Sequence, residues 1–387
     1  MKKVAFVISS LDLGGAQRAV SSITMGLSQD YDIDIIINNT DDVVYPYRGR
    51  LCSLNIANPK DRNKPSIFFQ AQVLSKRILY LRKAKRQNNY DAVISFLDSA
   101  NVANILSGNK YCKCIISVRN NVTESLTSLK KKILIGGNVR YLYNRADGII
   151  SLSDGAAIDL INNYGIRPEL VRTIYNGYDY AAIERKSREK SAVAVDAGCV
   201  NFVTMGRLTH QKGQWHLIRA FAEAYKSNQN IRLYILGIGE LEEYLCKLIN
   251  DCKLADQIKM VGFEDNPYSV LKEMDAFIFP SIYEGFGNAM LEAMTCGLPC
   301  ISTDYESGAR EILGAPGQEQ YGLIVSKLSG RHYRADEPLE KGEQELSTAM
   351  LRLAQDDNLR KQLGEKARLR ASRFSIESAI ACWEEVI

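Results

Sequence analysis

Short, β-branched apolar runs recur along this chain, each followed by a longer stretch with helical spacing, and the whole pattern lapses once and then starts again. The first set of runs lies at residues 4–9, 33–37, 92–95, 114–118 and 148–152, with helical patterns at 15–28, 66–88, 99–107, 125–144 and 154–163. Around 181–198 the periodicity stops and a charged stretch, 184–190, intervenes. Strand patterns then resume at 201–205, 232–236, 258–261, 276–279 and 300–302, with helices near 214–226, 240–252 and 288–296 and a helical tail from about 343. Strands alternating with helices can bury both faces of a sheet only as a parallel, doubly wound α/β layer. Two Rossmann-like domains are therefore expected, spanning 1–180 and 199–372, with a linker at 181–198. A C-terminal helix at 373–387 is expected to pack back on the first domain. At about 150 residues per domain, 387 residues suit two or three cores better than one. Ligands of such sheets sit outside the carboxyl ends of the strands, so two facing domains would hold theirs in a cleft between them.

Hydrophobic residues at 46% and charged residues at 24% exclude a disordered or fibrous chain. The net charge of +4 is unevenly spread: residues 1–180 carry 24 basic and 15 acidic side chains, and residues 181–387 carry 25 and 30. A front half at +9 is too mild for a dedicated nucleic-acid binder, but suits an anionic lipid surface or a phosphorylated substrate. The nine cysteines include Cys112/Cys114 and Cys296/Cys300, with no partner pair at zinc-ligand spacing, which fits a reducing compartment. Lys2-Lys3 is followed by only a short apolar run before Ser9, so the N-terminus reads as a first strand and not as a signal peptide. No stretch approaches the roughly 20 apolar residues of a membrane span, so any membrane contact is expected to be peripheral.

The densest candidate site is Glu284-Gly285-Phe286-Gly287-Asn288, with Glu292 eight residues after Glu284, at a strand-to-helix turn. Glycines there let the backbone approach a ligand, helix N-terminal amides hold anions, and carboxylates accept from sugar hydroxyls. A glycine-rich turn with two solvated glutamates is the other reading. A second loop, Gly206 to Gly213, carries Arg207 and Lys212, a fork and a point charge that together can neutralise a diphosphate, or simply two exposed cations. Gly237-Ile238-Gly239-Glu240 suggests a tight turn beside a nucleotide, but the third glycine of a dinucleotide fingerprint is replaced by Glu242. Gly14-Gly15 opens the first helix and either approaches a ligand or merely makes a turn.

Taken in order, Gly14-Gly15-Ala16-Gln17-Arg18, Gly206-Arg207-Leu208 with Lys212-Gly213, Glu284-Gly285-Phe286-Gly287 with Glu292, and Cys296-Gly297-Leu298-Pro299 resemble the family 4 retaining glycosyltransferases of the GT-B fold. The resemblance runs over nearly the whole chain. It implies that Arg207 and Lys212 bind the diphosphate of a nucleotide-sugar donor, that Glu292 holds the ribose hydroxyls, and that Glu284 with the amides of Phe286, Gly287 and Asn288 grips the sugar and phosphate. It further implies that Gly206 and Gly237 line the donor site, that Gly14 and Gly15 close over the donor's phosphates and sugar, and that Gly262-Phe263 presents backbone to the nucleobase, a uracil in the expected donor. Where many members place a histidine after the strand at 114–118, this sequence has Ser117-Val118-Arg119-Asn120-Asn121, so Arg119 takes that contact or serves a charged acceptor. None of the three histidines stands out as a general base. The resemblance instead implies a front-face route in which the leaving phosphate helps remove the acceptor proton, with no metal and no cofactor beyond the nucleotide sugar as co-substrate. No Asp-x-Asp is read as placed to hold a metal between donor phosphates.

The acceptor is less explicit. Ala71, Leu74, Ile78 and Leu81 form one face of a helix that also carries Lys76, Arg77, Arg82, Lys83, Lys85 and Arg86, with Lys130-Lys131-Lys132 further on. Such a helix either lies on an anionic bilayer or packs on the sheet with a solvated basic face. The segments 95–98 and 302–311 resemble family members that extend polyprenyl-diphosphate-linked bacterial glycans. The expectation is a retaining transferase on the cytoplasmic face of the membrane, moving a hexose or N-acetylhexosamine, UDP-linked in its donor, to a lipid-linked oligosaccharide of a bacterial surface polysaccharide. A sugar-nucleotide epimerase and a non-catalytic nucleotide-sugar-binding protein are the rivals.

Overall fold

A computed structural model describes residues 1–12, 14–41, 43–56, 66–125 and 135–387. The chain forms two compact units, Met1–Tyr178 together with Ile376–Ile387, and Asp179–Ser375. The stretch read as a linker opens with a helix, Tyr180–Ser187, whose first turn is capped by the Asp179 carboxylate accepting from Ala182 N at 2.8 Å. It packs on helix Pro267–Lys272 and counts with the second unit.

The first unit is built on seven parallel strands, β1 (Lys2–Val7), β2 (Tyr31–Ile37), β3 (Arg50–Ser53), β4 (Ala92–Phe96), β5 (Lys113–Val118), β6 (Gly148–Ser151) and β7 (Val171–Thr173), in the order β3-β2-β1-β4-β5-β6-β7. The second has six, β8 (Val200–Met205), β9 (Ile231–Leu236), β10 (Ile258–Gly262), β11 (Ala276–Phe279), β12 (Cys300–Thr303) and β13 (Leu323–Val325), in the order β10-β9-β8-β11-β12-β13. Central strands are buried on both faces, as parallel sheets covered by helices must be; β4, β11 and β12 have no accessible residue. The pattern anticipated ten strands and missed β3, β7 and β13. All three are edge strands; β3 (RLCS) and β7 (VRT) carry an arginine where the equally short β6, β11 and β12 have an apolar run, and β13 is only three residues long.

The C-terminal helix Ile376–Val386 belongs to the first unit, where Trp383, 2% exposed, packs its ring 5.8 Å from that of Phe96 on β4. Helix Ile67–Gln87 buries Leu81 fully and Leu74 and Ile78 partly against the same sheet. Two basic residues assigned to its solvated face are instead inside. Arg77, 1% exposed, donates to Ser99 Oγ, Ser9 Oγ and Asn38 Oδ1, and Lys85, 2% exposed, donates to the carbonyls of Asn104 and Gly108. Ala71, placed on the apolar face, is exposed, as are Ile67, Phe68 and Leu79. Lys130-Lys131-Lys132 lies outside the described residues. An Asp-x-Asp triplet does occur, Asp32-Ile33-Asp34, but it is inside β2, with Asp34 taken up by Arg50 and the Tyr90 hydroxyl.

Candidate functional site

In the second unit the sheet order reverses beside β8: the chain runs outward to β9 and β10 on one side and to β11, β12 and β13 on the other. The carboxyl ends of β8 and β11 therefore flank the natural ligand crevice of this sheet. The loop leaving β8 passes Gly206 and Arg207 into a short 3-10 turn, His210–Lys212, and Gly213 then adopts a left-handed conformation to start helix Gln214–Ser227. A side chain at Gly213 would stand 2.3 Å from the Pro280 carbonyl, so glycine is what lets this loop lie against the loop leaving β11.

That approach brings Lys212 and Glu284 together. Lys212 Nζ donates to Glu284 Oε1 at 2.5 Å, with the two side chains 17% and 11% exposed, and the ammonium sits 5.2 Å from the Phe279 ring centroid. Ser281 Oγ donates to the same carboxylate oxygen at 2.9 Å, and Gln211 Nε2 to the other at 3.1 Å. A carboxylate has about four acceptor sites, so three are filled and about one remains for an incoming hydroxyl. Glu284 is thus anchored as a fixed acceptor, and its position leaves Lys212 held at the crevice. Arg207 is exposed, and among the described residues its guanidinium makes no ion pair or hydrogen bond; its carbonyl is fixed by Gln214 Nε2 at 3.1 Å.

The remaining loops interlock behind this pair. The Gly237 amide donates to the Gly262 carbonyl at 2.7 Å, and a side chain at Gly237 would lie 2.1 Å from the Gly206 carbonyl. Gly206, Gly237 and Gly262 therefore stand at adjacent strand ends, and Phe263 beside them is 58% exposed. Phe286 and Gly287 are fixed by Tyr305, whose hydroxyl donates to the Phe286 carbonyl at 2.6 Å. The N-cap residue of helix Asn288–Thr295, which begins at that loop, is Gly287, which has no side chain to cap it. Glu292, on this helix, is only 6% exposed and accepts from the Tyr268 hydroxyl at 3.2 Å.

Sequence reasoning missed Ser281, Gln211, Tyr268 and Tyr305. Two of them had a signal: Gln211 adjoins Lys212, and Ser281 lies one turn before Glu284. The tyrosines are long-range partners with none. It also left the three histidines scattered, whereas the fold groups them. His216 is fully buried with Nδ1 2.8 Å from Glu343 Oε1, the His210 and His332 rings stack at 5.6 Å, and Trp215 lies 4.4 Å from His332. Burial would raise the Glu343 pKa, but hydrogen bonds from His216 and Arg219 outweigh it and hold that carboxyl below its ordinary value of 4.5. Burial first, and then the other two imidazoles, push His332 down from 6.5.

Gly14, Gly15 and Arg119 belong to the first unit. Gly15 opens helix Gly15–Gly26, and Gln17 reaches back to Asp12 at 2.9 Å beside Gly14. Arg119 follows β5, donating to Asn176 Oδ1 and, at 3.4 Å, to Ser117 Oγ, with its guanidinium 5.7 Å from the Phe96 ring centroid.

Two family models match the chain, Glycosyltransferase Family 4 over residues 13–182 and Glycosyl transferases group 1 over residues 186–328. The chain is 31% identical over 365 residues to an uncharacterized glycosyltransferase of Methanocaldococcus jannaschii, covering 88% of this chain and 89% of that one. It is 29% identical over 382 residues, 97% of this chain and 96% of the other, to the Campylobacter jejuni N-acetylgalactosamine-N,N'-diacetylbacillosaminyl-diphospho-undecaprenol 4-alpha-N-acetylgalactosaminyltransferase. Among solved structures, Anabaena HepE in complex with UDP and glucose matches 100% of this chain and 99% of its own with a TM-score of 0.76 at 18% identity, a likeness of fold.

Proposed function

The chain belongs to glycosyltransferase family 4 and has two parallel Rossmann-like sheets matching the GT-B fold, and from that premise we propose that it is a retaining transferase that moves a hexose or N-acetylhexosamine from a UDP-sugar to a polyprenyl-diphosphate-linked glycan. The observation that carries the donor half is the Lys212–Glu284 pair at the carboxyl ends of β8 and β11, with the exposed Arg207 guanidinium in the same loop. Breaking the bond from the anomeric carbon to the diphosphate builds negative charge on the leaving oxygen. Preorganised cations and amides stabilise that charge without reorganising at the moment of reaction.

In this reading Arg207 and Lys212 take the diphosphate, and the loop from Phe286 to Asn288 contributes backbone amides. Glu284 uses its remaining acceptor site on a sugar hydroxyl, Glu292 on the ribose, and Gly262-Phe263 meets the base. Because Glu284 already accepts three hydrogen bonds, it is poorly suited to act as a nucleophile. The front-face route fits better: the acceptor oxygen bonds to the anomeric carbon on the face the diphosphate leaves, and its proton passes to a leaving-phosphate oxygen.

The acceptor half rests on the Campylobacter relative, which is named for a diphospho-undecaprenol glycan substrate and matches nearly end to end. Peripheral attachment to an anionic membrane face is supported by helix Ile67–Gln87, whose outer surface exposes Lys76, Arg82, Lys83 and Arg86 together with Ile67, Phe68 and Leu79. Among the described residues no helix is long and apolar enough to cross a membrane. Mass spectrometry of lipid-linked products from a panel of nucleotide sugars tests the proposal. A product heavier by one hexose or N-acetylhexosamine is expected; an isomerised donor with no transfer would point to an epimerase instead.

A further inference from the structure

Arg119 carries a charge that the fold does not balance. Its guanidinium has only neutral partners, Asn176 Oδ1 and Ser117 Oγ, and its Nε is buried with no acceptor. Among the described residues no Asp or Glu pairs with it, and burial alone pushes its pKa down to about 10, with the Tyr178 phenol as the one group working against that. A desolvated cation without a counter-ion is costly unless something else supplies one. Arg77, another guanidinium with only neutral partners, is sealed at 1% exposure and ties together residues following β1, β2 and β4. Arg119 differs, because it keeps part of its surface open to solvent. It also stands just past the carboxyl end of β5, where parallel sheets meet their ligands, with Asn176 just beyond β7. Arg18, on the first helix, lies 5.9 Å from the Tyr178 ring and adds a second cation to the same neighbourhood.

We propose that Arg119 is the recognition residue for an anionic oxygen group, a carboxylate or phosphate, on one of the two substrates, so that the enzyme takes an acidic sugar or an acidic acceptor. A guanidinium fork matches either group in two parallel hydrogen bonds. The inference rests on the transferase reading above and sharpens its substrate class.

The test compares wild type, R119K and R119Q. In the donor arm, calorimetry measures binding of UDP, UDP-glucose and UDP-glucuronate. Recognition of the donor predicts that wild type prefers UDP-glucuronate over UDP-glucose by about 10- to 100-fold, the range of a charge-assisted hydrogen bond, and that R119Q erases the preference while UDP itself binds unchanged. In the acceptor arm, KM is measured for a polyprenyl-diphosphate-linked acceptor and for an uncharged alkyl glycoside with the same terminal sugar. Recognition of the acceptor predicts no donor preference, but a similar rise in KM for the charged acceptor alone in R119Q. R119K is expected to recover part of either effect. If UDP binds wild type and R119Q moves neither quantity, this inference fails and the donor reading stands. If wild type does not bind UDP, the donor reading fails and takes the inference with it. A variant that melts well below wild type with all constants shifted together makes Arg119 a structural tie, which also overturns the proposal.

Discussion

Replacing Lys212 by methionine keeps the length of the side chain and removes its charge. In the folded chain that deletes the 2.5 Å contact to Glu284 and the ammonium lying 5.2 Å from the Phe279 ring centre. A hydrogen bond to a charged group contributes about 1.5–3 kcal/mol. Glu284 keeps Ser281 and Gln211 as donors, so the carboxylate is not stranded and the stability loss should stay near the lower end of that range. For a unit of this size that corresponds to a fall in Tm of about 2–4 °C per kcal/mol. The effect on turnover is larger, because Lys212 is assigned to charge that develops only as the diphosphate leaves. Loss of one such donor lowers kcat by about 10²–10³, or about 2.7–4 kcal/mol. The assay is kcat and KM at saturating donor, paired with a thermal melt, on K212M, E284Q and the double variant. Since the two side chains act as one unit, the double variant should be little worse than K212M alone. A folded K212M that turns over within about threefold of wild type, a difference of about 0.6 kcal/mol, would refute the assignment.

Gly237→Ala should cost stability well beyond Gly262→Ala. Both sit at positive φ, but a side chain at 237 meets the Gly206 carbonyl at 2.1 Å whereas one at 262 meets nothing within 4 Å. Melting curves should show G262A down by the dihedral strain alone, about 1–3 kcal/mol, and G237A lower still; equal melts would mean the two loops are not in contact. Glu343, held below 4.5 by His216 and Arg219, contributes stability that is fully present above that value and lost as pH falls through the depressed one. E343Q should therefore be less stable than wild type at pH 7, and the gap should narrow in acid denaturation series run below pH 4.5; a constant gap would contradict the pairing. Reversing Lys76, Arg82, Lys83 and Arg86 to glutamate should abolish co-sedimentation with anionic vesicles, at about 1 kcal/mol for each basic residue removed, with no change for neutral vesicles. Binding that survives the reversal would place the membrane contact elsewhere.

The helix Ile67–Gln87 shows how far pattern reading goes. Its existence and the inward Leu74, Ile78 and Leu81 follow from spacing, but Ala71 of the same expected face is exposed, and Arg77 lies four residues after Val73 and four before Leu81, in the middle of the buried stripe. The period was legible and the burial of a cation was not, because Ser9, Asn38 and Ser99, which receive it, arrive from other parts of the chain. The short edge strands escaped for a different reason: an arginine breaks the apolar run in β3 and β7, and β13 has only three residues.

Sequence alone determined the α/β alternation, its restart, and which residue types stand at the strand ends, since each of these is written in local spacing and in glycines at turns. Only the tertiary structure decided that Lys212 meets Glu284, that Glu292 accepts from Tyr268, and that Arg119 has no counter-ion among the described residues. Such pairings depend on the order of strands in a sheet, which joins residues 72 positions apart as closely as neighbours, and no local pattern of side chains encodes that order.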